Sequence, residues 1–361
     1  MFTAKTSMGL PIAKDPLNDF RKFLFVVWKH LNLPDPTPVQ YDIAKSIQHG
    51  KKRLIIEAFR GVGKSWITSA YVVWLLYMNP QLNILVVSAS KTRSDDFTIK
   101  ELEILAHLKP SDDQRQSKIS FDVGPAKASH APSVKSVGIT GQLAGSRADF
   151  IIADDVEVPN NSMTQGMRDR LSEAVKEFDA ILKPDGRIVY LGTPQNQESL
   201  YNKLPERGYE VSIWPSRFPT PDQRIGYGSC LAPMIYKQLD KDPEIEGNPT
   251  DPKRFNDHDL MEREASYGRS GFALQFQLDT RLSDAMRYPL KVSDLIVMDT
   301  DSETAPERLI WSSDSQYIVE ELPNVAFSGD HYHKPMAIEG DFVKYTGSVM
   351  SIDPSGQGKD E

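Results

Sequence analysis

The sequence predicts an α/β fold with a mostly parallel central sheet, and three stretches carry that prediction. Residues 53–65, RLIIEAFRGVGKS, place a short apolar run, Leu54-Ile55-Ile56, before a loop that holds Gly61 and Gly63. Lys64-Ser65 then open a helical pattern through Trp66, Ile67, Ala70, Val73, Trp74 and Leu76. Residues 82–89, LNILVVSA, and residues 150–154, FIIAD, are further runs that are apolar on both faces. Strands of that kind belong to a parallel sheet covered by helices on both sides.

Composition sets the outer limits. At 361 residues, 39% hydrophobic and 25% charged, the chain is an ordinary globular sequence with length for about two domains. No apolar run approaches the roughly 20 residues of a membrane span. The first 17 residues lack the continuous apolar core of a signal peptide. Cys230 is the only cysteine, so an intrachain disulfide and a cysteine-based zinc site are both excluded, and a cytosolic compartment fits. A net charge of −8 argues against a protein that coats nucleic acid, while leaving room for a narrow basic surface.

Taken in order, residues 1–14 read as a loose arm. Asp15-Pro16 offers an N-cap and a first-turn proline to a core helix through Phe20, Phe23, Leu24, Val27 and Leu31. Prolines 34, 36 and 38 lead an extended segment into a second helix, with Gln40 in its first turn. That glutamine can cap the helix or present an acceptor and a donor to an adenine edge, and both readings stand.

The strand, glycine loop, Lys-Ser and helix of residues 53–65 make a phosphate cradle. Glycines let backbone N–H groups close on oxygens, and a helix N-terminus favours anions. Ala58, Phe59, Arg60, Gly61, Val62, Gly63, Lys64 and Ser65 are therefore the candidate nucleotide contacts. Lys64 would reach the β- and γ-phosphates and Ser65 would hold Mg²⁺. Ala58 occupies the position where the usual pattern has its first glycine. Lys91, Thr92 and Arg93 follow the strand at 82–89, at an end that faces the polymer in ATP-driven nucleic-acid motors. Two β-like runs, 119–123 and 134–140, come next.

Residues 150–157, FIIADDVE, form the second chemical centre. Asp154 is placed to bind the Mg²⁺ of Mg·ATP through water. A second carboxylate must orient and deprotonate the attacking water. Asp155 holds the adjacent position, but Glu157 has the longer reach and is the preferred base, with Asp155 supporting the metal. Arg60 and Arg147 are the candidate cations for the transition state, Arg60 in cis and Arg147 projecting into a neighbouring subunit. A helical stretch over 163–182 and a strand over 187–191 follow. Thr193 and Gln195, in the turn after that strand, are placed to read the γ-phosphate. From Arg217 onward prolines punctuate short helical pieces such as 257–267, a smaller loop-rich subdomain. Residues 348–352 read as a strand ending at Asp353, and a chain closing there looks cut short.

With these residues in place, the chain resembles the large terminase subunits of tailed bacteriophages, those of short-tailed, autographivirus-type phages above all. The resemblance covers essentially the whole chain. It rests on TPVQ (37–40), AFRGVGKS (58–65), SVKSVGITGQLAGSRAD (133–149), IIADDVE (151–157), LGTPQ (191–195), FALQFQ (272–277) and SIDPSGQGKDE (351–361). It implies a P-loop ATPase domain of the ASCE, RecA-like kind over 1–216, a linker subdomain over 217–345, and the first strand of an RNase H-like nuclease domain over 346–361. It further implies ATP and Mg²⁺ as cofactors, with Mg²⁺ or Mn²⁺ for the nuclease, and Asp353 as the first nuclease carboxylate. The implied partners are double-stranded DNA, the portal protein of the procapsid, the small terminase subunit and further copies in a pentameric ring, in the host cytoplasm and away from membranes. Two other readings remain. A superfamily-2 helicase would share Gln40, Lys64 and Asp154 but needs a second RecA-like domain with a QxxGRxxR helix, which residues 217–361 lack. A ring component that binds nucleotide without hydrolysing it would not need the intact acidic pair.

Overall fold

The protein was analysed as a computed structural model, described over residues 16–89, 108–117, 119–141, 143, 145–195, 198–280, 295–300, 302–312, 314–319, 332–347 and 349. Lys91, Thr92, Arg93, the strand expected over 348–352 (Val349 apart) and Asp353 lie outside the described residues. The chain forms two compact units, Met1–Met286 and Arg287–Glu361.

The first unit is organised on an eight-stranded sheet. Its strands are β1 (Arg53–Ala58), β2 (Ile84–Ser88), β3 (Gln116–Ser117), β4 (Ser120–Phe121), β5 (Val134–Gly138), β6 (Ala148–Asp154), β7 (Leu182–Gly192) and β8 (Glu210–Trp214). Across the sheet they run β3-β4-β5-β2-β6-β7-β1-β8. The six from β5 to β8 pair in parallel, and β3-β4 adds an antiparallel edge. The mostly parallel α/β fold expected from the sequence is therefore present. β7 lies between the glycine-loop strand β1 and the carboxylate strand β6.

Alternation along the strands explains why the sheet needs cover on both faces. Leu54, Ile56, Val86, Ile152, Val189 and Leu191 belong to one buried cluster. Ile55, Leu85, Val87, Ile151, Ala153, Ile188 and Tyr190 belong to a second. Neighbouring residues thus point to opposite sides. The first cluster is closed by α1 (Phe20–His30), α2 (Pro38–His49) and α3 (Lys64–Met78). α3 is buried almost all round, as its unbroken apolar run requires.

Several elements differ in extent from the sequence reading. α1 starts later, because Asp19 caps it by accepting from the Arg21 N–H, and Pro16–Asn18 is a 3₁₀ turn. The stretch 163–182 breaks at Val175-Lys176 into helices Gln165–Ala174 and Glu177–Ile181. β7 begins five residues before the expected 187, with Asp185 at φ +66 and a register shift opposite Ala148/Phe150. β8 has no counterpart in the sequence reading: EVSIW places a charge and a hydroxyl among its apolar residues, the composition of an edge strand. The helix begun at Asp257 continues to Phe272 across a non-helical Gly268 and ends in a π turn, Ala273–Gln277.

In the second unit, β9 (Thr304–Ile310) pairs antiparallel with β12 (Ala337–Lys344), and β10 (Ile318–Val319) pairs with β11 (Tyr332–His333). Leu309, Ile338, Phe342 and Val343 are exposed on the longer pair, β9–β12.

Candidate functional site

Register places the chemistry at one edge of the sheet. Ser88 pairs with Asp154, Asp154 with Leu191, Glu57 with Gly192, and Ala58 with Trp214, so the C-terminal tips lie in one row. A crevice outside the carboxyl ends of parallel strands is where such sheets bind ligands. Here it is a cavity of about 880 Å³, within the range of nucleotide-sized sites. Lys64, Ser65, Asp155, Glu157, Thr193 and Gln195 are among its lining residues, and so are Arg60, Gly61 and Gly63.

The loop that opens the cavity is held by its surroundings. Gly61 (φ +88) and Gly63 (φ +95) adopt left-handed backbone that side chains disfavour. A Cβ on Gly61 would stand 2.8 Å from the Phe255 ring. Gly63 caps α3, whose first N–H groups have no intrahelical acceptor and face this end of the sheet. Phe59 N–H donates to the Trp214 carbonyl (3.0 Å) and Arg60 N–H to the Gln275 carbonyl (2.9 Å). Ala58 and Phe59 are buried, and the Ala58 carbonyl accepts from Lys64 Nζ. Burial lowers the Lys64 pKa, opposed by the charges of Asp155 and Asp154. Ser65 Oγ donates to Asp154 Oδ2 at 3.2 Å. A hydroxyl and a carboxylate so close, at a helix N-terminus, are the hard oxygen donors that Mg²⁺ prefers. Among the described residues, no group of three or more His, Cys, Asp or Glu is arranged to hold a metal on its own.

The carboxylates after β6 are held in different ways. Glu157 is 1% exposed, and its two oxygens accept the N–H groups of Gln195 (3.2 Å) and Leu200 (2.6 Å). Burial raises its pKa, and these bonds work against the rise. Asp155 is half-buried, lines the cavity and sits at φ +44, a turn that lifts it off the strand tip; its N–H donates to the Leu191 carbonyl (2.8 Å). Both line the cavity; Glu157 ties β6 to the turn after β7, and Asp155 stands at the tip of β6.

Other expected residues are also located. Thr193 is buried at the cavity wall, and Gln195 donates from Nε2 to its carbonyl (2.8 Å). Gln40 is 1% exposed with its amide engaged at both ends: Oε1 accepts from Thr37 N–H (3.0 Å) and Nε2 donates to the Val62 carbonyl (2.7 Å). It caps α2 and steadies the loop, the first of its two readings. Arg60 lines the cavity, with Nη1 3.4 Å from Gln275 Oε1. Arg147 precedes β6 at the opposite end from Asp154, roughly 20 Å along the strand, where Nη1 donates to the Ala180 carbonyl (2.6 Å). It does not join this cavity in its own chain.

Comparison with known sequences finds 52% identity over 355 residues to the large terminase subunit of Enterobacteria phage T3, across 95% of this chain and 61% of that protein. That likeness is to the large terminase subunits of phages. It spans about three fifths of the length of that relative. No family model matches it. Among solved structures, the large terminase ATPase domain of a Thermus phage is 13% identical at TM-score 0.41, covering 70% of this chain and 96% of that one. The HK97 bacteriophage large terminase is 13% identical at TM-score 0.38, covering 63% and 52%.

The chain also holds groups at and beyond this cavity that sequence reasoning passed over. Arg254 and Gln275 line it from the stretch beyond Arg217. Glu57, at the end of β1, is 3% exposed, and burial with the nearby Glu157 charge pushes its pKa up to about 8 against the pull of Lys64. The one signal available for Glu57 was a charge inside an apolar strand. Arg254 gave none, because 193 residues separate it from the loop it touches.

Proposed function

We propose that this chain carries the ATP-hydrolysing motor of a terminase, which drives double-stranded viral DNA into a procapsid through the portal. The observation that carries the proposal is that Lys64, Ser65 and Asp155 line one cavity and that Ser65 Oγ donates to Asp154 beside it. Sequence identity to the phage T3 subunit supports the same reading.

In that reading Lys64 compensates charge on the β- and γ-phosphates, and the first N–H groups of α3 cradle them. Ser65 and Asp154 hold Mg²⁺, which when bound would neutralise phosphate charge. Asp155, rather than Glu157, orients the attacking water and accepts its proton. Glu157 holds the 193–200 turn against β6, so that Thr193 and Gln195 are set by its carboxylate. Arg60 stabilises charge in cis. Arg147, if it acts on phosphate, acts from a neighbouring copy in a ring. The small terminase subunit and the portal are the expected protein partners. In the longer terminase, a nuclease domain opening at residue 346 would use Asp353 as one of its Mg²⁺ or Mn²⁺ ligands. Asp353→Ala in the full-length protein should abolish metal-dependent DNA cleavage and spare phosphate release.

Phosphate release by the full-length protein, with and without procapsids and DNA, tests the motor assignment. Release should rise when procapsids and DNA are added together and not with either alone. A rate indifferent to both would contradict a packaging motor while leaving the ATPase assignment standing.

A further inference from the structure

The segment from Pro249 to Phe255 lies against the glycine loop, and its contacts form a continuous chain. Asp251 is 2% exposed, and its Oδ2 accepts from Thr37 Oγ1 at 2.6 Å. Thr37 is the N-cap of α2, and Gln40, three residues on, holds the Val62 carbonyl of the loop. From the same segment, the N–H groups of Arg254 and Phe255 donate back to the Asp251 carbonyl (3.0 and 2.9 Å). Phe255 packs its ring edge-on to Phe59 with centroids 5.9 Å apart, and Arg254 Nε donates to the Gly61 carbonyl. The loop is thus gripped at two successive carbonyls, Gly61 by Arg254 and Val62 by Gln40.

Holding the Gly61 carbonyl uses one of five N–H donors on the Arg254 guanidinium. Among the described residues its Nη groups have no hydrogen-bond acceptor, and the side chain is exposed toward the cavity that Lys64 and Ser65 line. One Nη lies 4.0 Å from where a Cβ on Gly63 would stand, beside the N-terminus of α3. A fixed, charged fork at the mouth of an anion-favouring helix end matches phosphate oxygens in geometry and sign.

We propose that Arg254 is a further cation of the nucleotide site, acting in cis, whose Nη groups contact the polyphosphate tail while Nε keeps the Gly61 carbonyl. It rests on the nucleotide-site reading and deepens it. A group from beyond residue 217 would then sense whether the tail is present. The position of the 249–255 segment would be coupled to the loop through Asp251 and Thr37.

Equilibrium binding of ATP and AMP to the wild-type chain and three variants tests this, at low and raised salt. Arg254→Gln retains an amide that can donate to Gly61 but carries no charge. It should weaken ATP by about tenfold or more, the size of one charge-assisted hydrogen bond, and change AMP far less. Arg254→Lys should recover part of the loss, and the salt dependence of ATP binding should flatten in Arg254→Gln. Equal weakening of ATP and AMP would reduce Arg254 to loop support and overturn the proposal, as would unchanged ATP binding. Lys64→Ala keeps the two levels distinct. ATP binding lost in Lys64→Ala but intact in Arg254→Gln defeats this inference alone. ATP binding indifferent to Lys64→Ala defeats the site reading and this inference with it.

Discussion

Asp155 and Glu157 are two residues apart and have opposite environments. Glu157 spends both oxygens on backbone N–H groups in a buried turn, and Asp155 faces the cavity from a strained backbone. Asp155→Asn should therefore bind ATP nearly as wild type and hydrolyse it about 10²–10⁴-fold more slowly, the usual contribution of a general base. Glu157→Gln should instead loosen the 195–200 turn and lower thermal stability along with turnover. Single-turnover hydrolysis beside a melting curve separates the two, and full activity in Asp155→Asn would return the base to Glu157. Glu57 titrates in the opposite direction from a paired carboxylate. Its folded pKa, about 8, exceeds its ordinary value of 4.5, so between those limits the folded chain binds more protons than the unfolded one. Stability should fall as pH rises through that window. In Glu57→Gln the fall should flatten, so the melting-temperature gap between variant and wild type should widen from pH 5 to pH 8.5. A constant gap would mean that Glu57 does not titrate there.

At the scale of elements, the sequence was legible wherever one periodicity ruled a stretch. β1, β2, β6 and α3 are continuous apolar runs, and each lies within a residue or two of its expected place. β8 escaped because Glu210 and Ser212 interrupt it and its place at the sheet edge permits them. The start of α1 moved because Asp15 and Asp19 both have cap chemistry, and local sequence does not choose between them. Among the site residues, the glycine loop and the acidic strand tip were readable from motif spacing. How Glu157 is held depended on the turn after β7, contributed by residues 38 and 43 positions away. That turn is also tightly built: a Cβ on Gly192 would come within 2.2 Å of the Tyr201 ring, whose hydroxyl accepts from Glu157 N–H. Gly192→Ala should cost at least 1–3 kcal/mol, the range for overpacking a closed site. Chemical denaturation would measure it. A neutral result would mean the tip of β7 is not close-packed against Tyr201.

Across the whole molecule, the mostly parallel sheet of the first unit puts the cavity-lining strand tips at one edge, and Arg147 at the other. Among the described residues no helix is long and apolar enough to cross a membrane. In the second unit the antiparallel β9–β12 pair has exposed apolar side chains. The central claim is that the chain turns over ATP at the Lys64 cavity. Steady-state phosphate release from ATP by purified wild-type and Lys64→Ala chains, matched by circular dichroism for folding, tests it directly. Release should be clear in the wild type and reduced to background in the folded variant, because the β/γ charge loses its compensating cation. Equal turnover by the two folded proteins would contradict the assignment of the site.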